Sequence, residues 1–226
     1  MNDKQRVAHY AAHQVTSGML VGLGTGSTAN YFIEELANRV KHENLQIKVV
    51  SSSIISMLKA QSLGLPLVAI EHITQLDLYV DGADEVTPDN TLLKGQGADL
   101  VKEKLLARSS KEFMVLVDSS KMVAQIGEKF AIPIEVIPFA WQMVKTQLEA
   151  LGAEGLLRQN SNGGTAVSSY GSLILDMVFP SSLESQQLDS LLNNMPGIVE
   201  HGIFFELAGT VLLAENDEVK VINYSA

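Results

Sequence analysis

Met19-Leu20-Val21-Gly22-Leu23-Gly24-Thr25-Gly26-Ser27-Thr28-Ala29 runs from a short apolar segment through a glycine-rich turn into polar residues. Residues 19–21 read as a strand. Beyond the turn Phe32, Ile33, Leu36, Ala37 and Val40 recur three or four apart with Glu34 and Arg39 facing away, which predicts an amphipathic helix opening at Ser27 or Thr28. In a strand, glycine loop and helix of this kind, bare N–H groups and the positive end of the helix converge on one spot, so an anion belongs there. The hydroxyls of Thr25, Ser27 and Thr28 add donors that suit a phosphate oxygen. On the motif alone, a tight turn with an N-cap is an equally good reading.

Working outward, Val7, Tyr10, Ala11 and Val15 form a preceding helix that Gly18 ends. After the loop, 47–50 reads as strand, 53–63 as helix, and 67–70, 76–80 and 113–117 as further strands. Such alternation implies a parallel sheet of right-handed βαβ units. Near Gly127 the pattern changes to strand 130–137, helix 139–151, strands 155–158 and 172–178, helix 183–193 and strand 198–204. That βαββαβ order is the split arrangement of ferredoxin-like domains. The tail, 210–214 and 218–222 around Asn216-Asp217, reads as a hairpin that rejoins the first sheet. The expected fold is α/β: a Rossmann-like domain, residues 1–128 plus 205–226, with an inserted ferredoxin-like α+β domain, 129–204.

The 226 residues, 46% apolar and 19% charged, suffice to bury a core without staples. The absence of cysteine excludes disulfides and thiolate metal sites. A net charge of −10, spread along the chain, argues against nucleic-acid partners. Met1-Asn2-Asp3-Lys4-Gln5-Arg6 has no apolar targeting core, and no apolar run approaches a membrane span, so a soluble cytoplasmic protein without a membrane partner is expected.

Gly24, Gly26 and Ala29 also fit a dinucleotide fingerprint, but the second strand ends in Ser51-Ser52-Ser53 where a ribose-binding acid is required. The Walker pattern fails as well, since no Gly-Lys-Ser/Thr follows. Tyr79-Val80 leads into Asp81-Gly82-Ala83-Asp84-Glu85, beyond the carboxyl end of a strand, where open α/β sheets bind ligands. One carboxylate there can take a proton while the other binds hydroxyls; a solvated Asp-Gly turn is the plainer reading.

Lys94-Gly95-Gln96-Gly97-Ala98 precedes a helix carrying Leu100, Val101, Leu105 and Leu106, so Lys94 is expected at a helix N-terminus, holding phosphate or polarising a carbonyl, unless it is simply exposed. Glu103, between Lys102 and Lys104, reads as a solvated charge, and Asp118-Ser119-Ser120-Lys121 as a polar turn at a sheet end. His9 and His13 share a helix face at i, i+4, but position 10 is Tyr and no third ligand is evident, so no metal or other cofactor is expected.

Six segments in register along nearly the whole chain resemble ribose-5-phosphate isomerase type A. They are the 22–29 glycine loop, Ser51-Ser52-Ser53, Asp81 to Glu85, Lys94 to Ala98, Ile134-Glu135-Val136-Ile137-Pro138, and Pro196-Gly197-Ile198-Val199-Glu200-His201-Gly202-Ile203-Phe204. The resemblance implies an aldose–ketose isomerase of pentose phosphate metabolism that acts through a cis-enediolate. It makes Glu103 the catalytic base, aided by Asp81, Asp84 and Lys94. Substrate-binding segments match Thr25, Gly26, Ser27 and Thr28; Asp81, Gly82, Ala83 and Asp84; Lys94, Gly95, Gln96 and Gly97; and Lys121, with Lys4 as a phosphate ligand.

The implied partners are a sugar phosphate and further copies of the chain, in a homodimer or higher oligomer, where 198–204 serves an interface or the core. Two departures stand out: Gln96 replaces a glycine, and Ser169-Tyr170-Gly171 replaces Asp-Asn-Gly. The alternatives are an amino-sugar-phosphate deaminase or a non-catalytic sugar-phosphate sensor, though no DNA-binding helix-turn-helix fits before Gly22.

Overall fold

Apolar side chains on both faces of the first strands require cover from helices on both sides, the condition that builds parallel sheets. The computed structural model describes residues 1–224. In chain order its elements are α1 (Asp3–Gln14), β1 (Leu20–Leu23), α2 (Ser27–Glu43), β2 (Lys48–Ser51), α3 (Ile54–Ser62), β3 (Leu76–Gly82), β4 (Glu85–Val86), β5 (Thr91–Leu93), α4 (Leu100–Ser109) and β6 (Ser110–Asp118). There follow β7 (Ile132–Val136), α5 (Trp141–Ala150), β8 (Glu154–Leu157), β9 (Leu173–Val178), α6 (Ser185–Asn193), β10 (Ile198–His201), β11 (Ile203–Phe205), β12 (Thr210–Glu215) and β13 (Glu218–Asn223).

One unit comprises Met1–Ala83, Lys102–Lys121 and the described residues from Leu207 onward. Its six-stranded sheet has the order β13-β12-β6-β3-β1-β2, parallel except for β13. Val7, Ala11, Phe32, Ile33 and Leu36 of the helices pack with Val21, Val49 and Val80 of the strands into its core. Leu23 lies level with Ser51 on one side and with Val80 on the other, so β1 and β2 end together while β3 runs on through Asp81 to Gly82. Because β2 and β3 leave β1 on opposite sides, the order reverses at β1/β3, the place where doubly wound sheets bind ligands. The tail hairpin forms as expected: β12 pairs with β6, and Asn216 and Asp217 take the positive φ values, 50° and 66°, of a tight turn.

The other unit comprises Asp84–Val101 and Met122–Glu206. Its antiparallel sheet, β10-β7-β9-β8, with α5 and α6, is the ferredoxin-like arrangement expected from the βαββαβ order. Ile134, Val136, Val144, Leu148, Leu175, Met177, Leu188 and Leu192 fill its core.

Three expectations need correction. Segment 67–70 is not a strand: Leu67 makes one bridge to Val49 at the sheet's edge, and the chain then turns through a 3-10 helix, Ile70–His72. Strand 198–204 breaks at Gly202, sending β10 to the four-stranded sheet and β11 to a three-stranded sheet with β5 and β4. That second pairing is why Asp84–Val101 groups with the 122–206 unit, where the sequence reading put a boundary at 128/129. Ile203 and Phe204 are wholly buried within the chain, which makes them core. Leu105, on α4, is 52% exposed.

Candidate active site

At the β1/β3 switch point the glycine loop and Asp81 are built as one piece. The Asp81 carboxylate accepts from the backbone N–H of Thr25 (3.0 Å), the backbone N–H of Gly82 (2.7 Å) and the Tyr79 hydroxyl (2.6 Å). Gly24 makes this possible: a Cβ there would stand 2.2 Å from the Asp81 carboxylate. The serines that end β2 tie in the same loop. Ser53 caps α3 by accepting from the Ser56 amide and donates to the Thr25 hydroxyl at 3.1 Å, while Ser56 donates to the Gly24 carbonyl at 2.6 Å. The serines at the end of β2, where a ribose-binding acid is absent, therefore tie down the glycine loop. Gly26 and Ser27, at the N-terminus of α2, are exposed, and Thr25 and Thr28 are half-buried. Lys4 Nζ donates to the Ser27 hydroxyl at 2.8 Å.

Behind Asp81 lies Tyr79, fully buried and stacked on Phe113 at 4.9 Å between ring centroids. Burial, followed by the negative charges of Asp81 and Glu103, pushes the Tyr79 phenol well above its usual range. Both carboxylates thus act on one neutral hydroxyl. Glu103 sits in the first turn of α4, where the helix dipole favours a carboxylate, and is only 2% exposed. Reading it as a solvated charge was wrong. Lys121 is half-buried in the short turn after β6.

In the other unit, β4 and β5 form a small hairpin in which the Asp84 N–H donates to the Leu93 carbonyl at 2.8 Å, setting Asp84 beside the strand that delivers Lys94. Lys94 differs from expectation: α4 begins at Leu100, so the lysine is not at a helix N-terminus. It follows β5 and is 4% exposed, its ammonium 5.6 Å from the centre of the Phe204 ring. Its N–H donates to the Gly202 carbonyl, and the Gly202 N–H donates to Pro133. Arg158 donates to the carbonyls of Gly95 and Gln96, both at 3.0 Å, while Asp176 grips the guanidinium from behind at 2.6 and 2.9 Å. Gln96 is exposed, is not among the positive-φ residues, and places no demand for glycine on its position. Ala98 instead adopts the left-handed conformation, φ 64°. Ser169, one of the departures, donates to Asp99 in the same loop. Gly97 is exposed, and Gly82 and Ala83 are half-buried.

Tyr79, Arg158 and Glu85 escaped the sequence reading. Glu85, wholly buried, accepts from the backbone N–H groups of Gly127, Lys129 and Phe130. Each lies in an ordinary strand or turn pattern that does not mark it out. His9 and His13 also gain what the sequence did not reveal, a third ligating group in Glu35.

The family model for ribose 5-phosphate isomerase A (phosphoriboisomerase A) matches residues 48–218. The chain belongs to that family. A relative named ribose-5-phosphate isomerase A from Prochlorococcus marinus (strain NATL2A) is 42% identical, covering 96% of this chain and 94% of its own. The solved ribose 5-phosphate isomerase A of Methanocaldococcus jannaschii superposes with a TM-score of 0.93 at 38% identity, covering 98% of each chain. A solved D-ribose-5-phosphate isomerase in complex with phospho-erythronic acid gives the same TM-score, 0.93, at 33% identity over 99% of this chain and 100% of its own. Like these ribose-5-phosphate isomerases, this chain is an isomerase of the α/β class with an inserted small domain. No helix among the described residues is long and apolar enough to cross a membrane.

Proposed function

We propose that this isomerase interconverts D-ribose 5-phosphate and D-ribulose 5-phosphate by proton transfer through a cis-enediolate, with Glu103 as the base. Glu103 takes the C2 proton of the open-chain aldose; the C2–H pair becomes the C1=C2 bond, and the carbonyl pair moves onto O1. Returning the proton from Glu103 to C1, with O2 giving up its proton as O1 gains one, yields the ketose. The observation that carries this reading is a carboxylate almost entirely withdrawn from water yet placed at a helix N-terminus, beside a neutral tyrosine. Burial leaves a general base without competing solvent.

The remaining roles follow from the donor set. Lys94, a buried cation, stabilises the enediolate oxygen, a contribution of about 2.7–4 kcal/mol for a donor of this kind. Asp81 assists ring opening and Asp84 binds hydroxyls. The N–H groups and hydroxyls of 25–28, with Lys4, Lys121 and loop 94–97, hold phosphate and hydroxyl oxygens. Phospho-erythronic acid, bound by a relative, presents a planar pair of oxygens much as an enediolate does, which supports the same intermediate here. The enzyme works in the cytoplasm as a homodimer or higher oligomer; Phe139, Met143 and Leu156, 82%, 61% and 74% exposed, offer apolar surface for assembly.

The test is Glu103→Gln, assayed for conversion of ribose 5-phosphate to ribulose 5-phosphate. Turnover is expected to fall roughly 10²–10⁴-fold, while the melting temperature and calorimetric affinity for ribose 5-phosphate stay near wild type. Near-normal turnover would remove Glu103 from the mechanism.

A further inference from the structure

The first two helices carry a group that the isomerase chemistry does not use. His9 and His13, four residues apart on α1, are both exposed and present their rings side by side, 4.3 Å between centroids. Glu35, on α2, brings a carboxylate oxygen to 3.5 Å from His9 Nε2. One ligating atom from each residue falls within 4.8 Å of the other two.

The hydrogen bonding around His13 favours a ligand role. His13 Nδ1 stands 2.9 Å from the His9 backbone carbonyl, which can only accept, so Nδ1 carries the hydrogen and Nε2 keeps its lone pair. Metal-binding histidines are fixed in this way, by an acceptor that holds the hydrogen of the other ring nitrogen. The adjacent carboxylate on α2, Glu34, is engaged by Lys59, which leaves Glu35 as the one directed at α1.

We propose that His9, His13 and Glu35 bind a divalent transition-metal ion of the zinc class across α1 and α2. With metal–ligand bonds of about 2.0–2.1 Å, two ligands of a tetrahedral site stand roughly 3.3 Å apart, close to the His9–Glu35 spacing already present. Two imidazoles and one carboxylate suit zinc, cobalt or nickel; magnesium and calcium take all-oxygen shells. The three protein ligands leave a fourth position for water. His9 lies five residues along α1 from Lys4, whose ammonium reaches Ser27 at the start of α2, so the ion would brace the same helix pair at a second point.

The experiment uses untagged full-length protein, stripped with EDTA and dialysed, then titrated with zinc sulfate by calorimetry and followed by thermal melting. One ion per chain and a raised melting temperature are expected. His9→Ala and His13→Ala should each weaken binding roughly ten- to hundredfold, with Glu35→Gln acting in the same direction and magnesium failing to compete. His42→Ala, an exposed histidine near the end of α2, should leave the isotherm unchanged. Zinc binding that is indifferent to His9 and His13, or a titration with no stoichiometric ion, would overturn the proposal and leave His9–Glu35 as an ion pair alone.

Discussion

The Tyr79 hydroxyl donates to Asp81 Oδ2 at 2.6 Å from a ring that solvent does not reach. Asp81 Oδ1 accepts from the amides of Thr25 and Gly82, and Tyr79 gives the other oxygen a side-chain donor. Tyr79→Phe keeps the stack on Phe113 and removes only the hydroxyl, so the fold should survive while kcat falls roughly ten- to hundredfold, the range for one bond to a charged group.

The same tyrosine makes a pH prediction. Its folded pKa is raised, chiefly by burial, so unfolded chains lose the phenolic proton first, near pH 10, while the native state still holds it. Stability from this group is complete below that pH and declines as pH climbs toward the folded value. Melting temperatures between pH 8 and 11 should fall more steeply for wild type than for Tyr79→Phe; parallel slopes would contradict the assignment.

Gly24→Ala places a Cβ 2.2 Å from the Asp81 carboxylate and 2.6 Å from its Cα. Neither is a flexible tip, so the loop or the strand must move. A loss of about 1–3 kcal/mol in stability by urea titration is expected, with a drop in kcat/KM exceeding that of Tyr79→Phe.

Arg158 is a positioning residue for loop 94–97, spanning its carbonyls and Asp176. Lysine cannot reproduce that fork. Arg158→Lys should therefore raise KM for ribose 5-phosphate several-fold with a smaller change in kcat, since the loop loosens while Glu103 is untouched. If Asp176→Asn produces the same split and the double variant adds little, the two act as one unit.

The parts of this architecture that were legible are those written in local periodicity: the strand, loop and helix around Gly24, the βαββαβ order and the Asn216-Asp217 turn. Position 67–70 looked like a strand because its apolar content is the same whether the chain pairs along an edge or touches it at Leu67 and turns away. The β4, β5 and β11 sheet joins residues more than a hundred positions apart, and no local pattern announces it. Buried charge was the least visible property. Lys94, Glu103 and Glu85 lie in ordinary polar turns or helix faces, and only the fold withdraws them from water. Family resemblance, not periodicity, pointed to Glu103.

Chelation separates the two chemistries assigned to this chain. The proton transfer proposed above runs through Glu103 and Lys94, whereas the proposed ion braces α1 against α2 through His9, His13 and Glu35. Exhaustive EDTA treatment should therefore leave kcat unchanged at 25 °C while lowering the melting temperature, and zinc should restore the latter without raising the former. Loss of turnover on chelation, recovered with a divalent ion, would instead place a metal in the chemical step and count against a route carried by Glu103 and Lys94 alone.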